Sequence, residues 1–192
     1  MLLDEKVALL TRALAAGDVP HAFGGAIALA YYATPRGTHD IDINVFLPAS
    51  SLVAVLECLV PHGVEPPTKA QRRFERDEQI RLWWDRTPID LFFSYTELHA
   101  ACVERQKKVP FGAERLPILS AEDLAIFKVL FARDKDWRDL DEMLFAQGRD
   151  FDEDYALGWL ARILAPSDER LLRFRVLVEN RLGISTNSPS TS

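Results

Sequence analysis

One stretch constrains this chain more than any other. From Phe23 it turns on Gly24-Gly25, runs through the Ala- and Leu-rich segment Ala26 to Ala33, and breaks at Thr34-Pro35-Arg36-Gly37. From Asp40 to Leu47 it alternates, with Ile41, Ile43 and Val45 to one side and Asp40, Asp42 and Asn44 to the other. Alternation of that kind predicts a half-buried strand with a polar face. A glycine turn, a helix and a strand in such close order demand a sheet with helices packed on it.

The two carboxylates of that strand carry the first chemical signal. Residues i and i+2 point to the same side, so Asp40 and Asp42 stand roughly 6–7 Å apart at Cα. Left alone they repel, and a divalent cation removes that cost. Hard oxygen donors suit Mg2+ or Mn2+. Two such ions would clamp the attacking and leaving oxygens of a phosphoryl or nucleotidyl transfer. A bare DxD on an exposed strand face has no such meaning. Here Gly24-Gly25 precedes it, where glycine admits a close backbone approach and a helix start offers free N–H groups to a phosphate.

The rest of the chain divides by pattern. Leu2 to Ala16 and Ser51 to Val60 read as helices, the latter stopped at Pro61. Gln79–Asp85 and Ile89–Tyr95 read as a hairpin around Asp85-Arg86-Thr87-Pro88. After Pro117, Ser120-Ala-Glu-Asp123 resembles a capping box opening a helix, and Asp136–Phe145, Ala156–Leu164 and Asp168–Leu182 read as three more. The expectation is an α+β protein with a mixed-sheet core over residues 1–116, a helical part over 117–182 and a polar, disordered tail over 183–192.

Composition narrows the function. Among 192 residues, 23 are basic and 29 acidic, giving −6, so a strongly basic nucleic-acid binder is excluded and any such contact needs a local patch. Lys69 to Arg86 is the candidate, net +2 with Arg72, Arg73 and Arg76 close together. Asp134 to Asp154 is net −6, either a solvated face or a surface for a cationic ligand. Cys58 and Cys102 lack metal-site spacing and read as free thiols. His21 and His39 read as ordinary polar residues, and Trp83 and Trp84 as packing. The acidic start MLLDEK is unlike a signal peptide. The longest apolar run, Ala22 to Ala33, falls short of the roughly 18 residues of a membrane span. A soluble, cytoplasmic protein is expected.

The segment Phe23 to Ile43 resembles the nucleotidyltransferase fold of the DNA polymerase β superfamily. More narrowly, it is similar to the AbiEii-type nucleotidyltransferase toxins of type IV toxin–antitoxin systems. Those carry a Gly-Gly or Gly-Ser turn, a short helix and Arg-x-[Ser/Thr]-x-Asp-Ile-Asp, matched by Arg36-Gly-Thr38-His-Asp40-Ile-Asp42. Gly25 stands where many superfamily members have Ser. The resemblance implies a third carboxylate on a neighbouring strand, for which Asp90 in Pro-Ile-Asp-Leu-Phe-Phe is the candidate, either as metal ligand or as base. If it is only structural, Asp90 pairs with Arg86.

Glu122 to Asp139 resembles the same family, in which a helical Lys precedes an Arg and Lys-Asp-x-x-Asp. Lys128 then contacts a nucleotide phosphate or merely snorkels to solvent. Asp136 and Asp139 orient Lys128 or Arg133, or cap the helix. Arg36 and Lys128 stabilise phosphate charge, and Gly24 and Gly25 seat the phosphates.

By resemblance Thr38 is a phosphorylation site that silences the enzyme. The implied reaction takes an NTP with Mg2+ and transfers the nucleoside monophosphate to the 3′ end of tRNA. The implied partner is an antitoxin. Two alternatives remain: adenylylation of an aminoglycoside-like antibiotic, and an inactive binding module on the same scaffold.

Overall fold

The computed structural model describes residues 1–66, 78–94 and 96–183. The Arg72, Arg73 and Arg76 patch and the tail beyond Gly183 lie outside the described residues. The described residues form eight α-helices and one six-stranded mixed sheet. The elements are α1 (Leu3–Ala16), β1 (His21–Phe23), α2 (Gly25–Leu29), β2 (Ile41–Val45), α3 (Leu52–Leu59), β3 (Gln79–Trp84), β4 (Thr87–Phe93), α4 (Glu97–Arg105), β5 (Lys107–Phe111), β6 (Glu114–Ile118), α5 (Ala121–Phe131), α6 (Asp134–Gln147), α7 (Glu153–Ile163) and α8 (Glu169–Leu182). No described helix is long and apolar enough to cross a membrane. Cys58 and Cys102 form no disulfide among the described residues.

The sheet runs β3-β4-β2-β1-β6-β5. The pairs β2–β4 and β1–β6 are parallel, and β1–β2, β3–β4 and β5–β6 are antiparallel. Alternation places Ile41, Ile43 and Val45 beside Ile89, Leu91 and Phe93, all fully buried. Each such side chain contributes about 1.5–3 kcal/mol by burial. That apolar registry fixes the opposite face too, because a slip of one residue would turn the aspartates into the apolar core.

Contacts divide the chain into two compact units. The first is Met1–Ala28 with Arg36–Ser120, and the second is Leu29–Pro35 with the chain from Ala121 on. The sequence boundary expected at residue 116 moves to 120 because Glu114–Ile118 is a strand, tied to β1 through Phe23 and Ile118. Within the first unit, buried Lys6 fastens α1 to the β3–β4 turn, donating to the Trp84 carbonyl at 2.7 Å and to Asp85 and Thr87 at 3.1 Å.

Three local expectations change. The helix expected to reach Ala33 ends at Leu29, where the Tyr32 and Ala33 amides both close on the Leu29 carbonyl in a tightened last turn. The strand expected from Asp40 begins at Ile41. The β3–β4 turn is only Asp85-Arg86, because Thr87 and Pro88 already pair with Trp84 and Trp83; Asp85 makes the turn at φ 54°.

Candidate active site

The site of the first unit is built where β1, β2 and β4 lie side by side. Gly24 follows β1, and its amide donates to the Asp42 carbonyl at 2.9 Å. The second of these glycines is required there, and the first leaves little room for a side chain. A Cβ on Gly24 would come within 2.9 Å of the Asn44 amide nitrogen. A Cβ on Gly25 would lie 1.8 Å from an Asp42 carboxylate oxygen, and Gly25 also has φ +52°. The superfamily's serine therefore does not fit this turn as it stands. The Gly24 amide, expected to face a phosphate, is already bonded to β2, and α2 is only five residues long.

Asp42 and Asp90 are register partners on adjacent parallel strands, and Arg81 is the partner of Asp90 across the hairpin. Paired residues share a face, so the three form a row. Arg81 donates to both Asp90 oxygens, Nε to Oδ1 and Nη2 to Oδ2, each at 2.7 Å. Asp90 is buried whereas the Arg81 side chain is 49% exposed. The expected alternative partner, Arg86, sits in the turn instead. Arg81 is the residue that sequence reading missed. Its pKa is pushed up, first by the hydrogen bond to Asp90; burial opposes this, and the charges of Asp90, Asp40 and Asp42 add to the rise.

Asp40 and Thr38 lie before the strand. The Asp40 amide donates to Thr38 Oγ1 at 3.2 Å, and that hydroxyl donates to the Asp40 carbonyl at 3.2 Å. This is a local hydroxyl turn, so Thr38 lies in the connector before β2 and not on the strand that carries Asp42. Arg36 is exposed in the same connector. Buried His21 bonds through Nδ1 to the Val19 carbonyl at 2.8 Å, and burial pushes its pKa down.

Among the described residues no three His, Cys, Asp or Glu side chains gather to hold a metal ion. The trio expected at Asp40, Asp42 and Asp90 is thus no ready cage, since both Asp90 oxygens already accept from Arg81. The donor chemistry nevertheless fits Mg2+. That ion commonly takes one or two carboxylates and completes its shell with water and substrate phosphates. Asp40, just before β2, and Asp42, within it, are carboxylates of that chemistry.

The second unit holds the other predicted cluster. Lys128 on α5 is buried and does not snorkel. Its ammonium donates to Asp139 at 2.6 Å and to Asp136 at 3.5 Å. Arg133 bonds Asp136 through Nε at 2.7 Å and Nη2 at 3.2 Å. The helical spacing of Asp136 and Asp139 puts both on one face of α6, turned to α5. The ammonium, for which the sequence offered a phosphate or the solvent, is here bonded to two carboxylates. Asp141 of the acidic segment is bonded by Arg181, so at least three of its carboxylates are paired within this unit.

The fold is that of nucleotidyltransferases. The chain is similar to the antibiotic-resistance factor ANT(2″)-Ia, solved in complex with adenylyl-2″-tobramycin, at a TM-score of 0.63 and 11% identity over 84% of this chain and 98% of that one. The solution structure of the same factor gives 0.60 and 12%, covering 83% and 92%. An antigenic nucleotidyltransferase-like protein from Paracoccidioides brasiliensis gives 0.53 and 16%, covering 88% and 92%. No family model and no curated protein sequence matches the chain.

Proposed function

We propose that this protein is a nucleotidyltransferase that moves a nucleoside monophosphate from an NTP to a hydroxyl group. The observation that carries this reading is the row Asp42, Asp90 and Arg81 beside a glycine turn that only glycine can make, on a nucleotidyltransferase fold. In the reaction the acceptor oxygen bonds to the α-phosphorus, the bond to pyrophosphate breaks, and the hydroxyl proton passes to a carboxylate, Asp90 being the candidate. Asp40 and Asp42 would hold the divalent cation, which supplies neutralisation of the phosphate charge when bound. Arg36 binds the outer phosphates, and the Gly24-Gly25 turn fixes the carboxylate of Asp42. Lys128, with Asp136, Asp139 and Arg133, belongs in this reading to the internal frame of the helical unit.

For the acceptor, the motif Arg36-x-Thr38-x-Asp40-Ile-Asp42 supports the 3′ end of tRNA, with a neighbouring antitoxin as partner. Thr38 is then the regulatory phosphosite. Phosphorylation there removes the hydroxyl donor of the turn and adds about −1.5 to −2 charges beside Asp40. A second reading is adenylylation of an aminoglycoside. The similarity to ANT(2″)-Ia over nearly the whole of that chain favours it. One assay separates them: α-labelled NTPs with Mg2+, offered total tRNA and an aminoglycoside panel in parallel, with Asp42→Asn as control. Label on tRNA supports the first reading and label on the antibiotic the second. Label on neither, with no pyrophosphate released and NTP bound, leaves an inactive binding module.

A further inference from the structure

Arg81 has a position that an ordinary surface ion pair lacks. It lies on edge strand β3, and its register partner Asp90 is in turn the partner of Asp42. The guanidinium therefore closes a row of like charges that would otherwise repel across neighbouring strands. Its grip on Asp90 is bidentate, which fixes the carboxylate plane as well as its charge. Its half-exposed side chain leaves room to swing away without disturbing the sheet. The charges of Asp40 and Asp42 reach it as well.

Resting on the reading of these carboxylates as a cation-dependent transfer site, we propose that Arg81 is a positioning residue that serves as the resident counter-ion of the cluster. It holds Asp90 beside Asp42, and its positive charge opposes that of a divalent cation arriving at Asp40 and Asp42. Two positive groups that address one negative cluster oppose each other's binding, and the opposition is reciprocal. Removing Arg81 therefore has opposite effects on two measurable quantities. The cation-free protein loses stability, because buried Asp90 loses its bidentate partner. The cation binds more tightly, because no second positive charge stands beside its carboxylates. A salt bridge that served only to join β3 to β4 would produce the first effect without the second.

The test uses the full chain with Mg2+ alone, comparing wild type with Arg81→Gln, Arg81→Lys and Asp42→Asn. Melting temperature is read in EDTA and in excess Mg2+, and Mg2+ affinity by calorimetry. In EDTA, Arg81→Gln is expected to melt below wild type, with the gap closing in Mg2+. Its Mg2+ affinity should tighten about two- to fivefold, the size of a partly exposed ion pair expressed as a ratio. Arg81→Lys keeps the charge but not the bidentate grip and should fall between. A Mg2+-induced shift equal in wild type and both Arg81 variants, yet lost in Asp42→Asn, overturns the counter-ion role and leaves the transfer site standing. A wild type that Mg2+ neither stabilises nor binds overturns both.

Discussion

Gly25 and Asp42 occupy space that only one of them can fill with a side chain. Gly25→Ala pushes a methyl to within 1.8 Å of the Asp42 carboxylate and places it at φ +52°. We expect a loss of about 1–3 kcal/mol in urea unfolding, together with loss of nucleotidyl transfer, because Asp42 must move. A Gly25→Ala protein with wild-type stability would mean that the turn relaxes freely. Asp42→Asn should abolish transfer and leave the melting temperature within a few degrees of wild type. A variant with near-normal turnover would remove Asp42 from the chemistry. At this scale the sequence was informative where residues lie close along the chain. Gly24, Gly25, Asp40 and Asp42 all stood out because they fall within one turn-helix-strand unit. Arg81 did not, because its meaning depends on a hairpin register. Reading Asp85 to Pro88 as the loop moved Arg86 next to Asp90, whereas Thr87 and Pro88 in fact extend β4 and bring Arg81 opposite.

Helix α5 shows how an element can look functional and serve its own packing. Apolar residues crowd around Lys128, and the sequence left open where its ammonium goes. The structure gives it Asp139 and Asp136 on α6. Lys128→Met should therefore destabilise the protein by about 3–5 kcal/mol, because it takes the ammonium away from buried Asp139, while Asp136 keeps Arg133. Denaturant titration checks this; a change below about 1 kcal/mol would return Lys128 to the solvent. Helix α4 was not read from sequence at all, and it carries a second prediction. His99 is buried, accepts or donates at Nδ1 with the Thr96 hydroxyl at 2.9 Å, and burial pushes its pKa down to about 4, against a smaller opposite effect of hydrogen bonding to the Thr96 backbone. Below its ordinary value near 6.5 the unfolded chain takes up a proton that the folded chain refuses, so stability should fall as pH drops from about 6.5 to about 4. His99→Gln should flatten that part of the stability–pH curve. An unchanged slope would place the acid sensitivity elsewhere. Hairpin β5–β6 escaped sequence reading for a plain reason. Pro110 and Pro117 sit inside its strands, and proline ordinarily argues against a strand; β5 tolerates it as an edge strand.

On the scale of the whole molecule, the α+β class and the helical second half were legible because period-2 and period-3.6 patterns separate along the chain. The interleaving of the units was not, because nothing in a local pattern says that residues 29–35 belong with helices that begin at Ala121. Leu29 and Tyr32 are nonetheless buried, and Gln147 donates to the Tyr32 carbonyl at 3.0 Å. A fragment from Ala121 to Gly183 is therefore expected to melt at a markedly lower temperature than the intact protein, or without a cooperative transition, when followed by circular dichroism. A fragment as stable as the parent would show that residues 29–35 add nothing to the helical unit. The interleaving also bears on how the protein is made. A ribosome delivers residues 29–35 long before the helices that cover them, while every member of the Asp40, Asp42, Asp90 and Arg81 cluster has emerged by residue 90. Nascent chains thus pass through a stage in which the sheet and its carboxylates are complete and Leu29 and Tyr32 still lack their partners, so the early product is the one most exposed to chaperones and proteases.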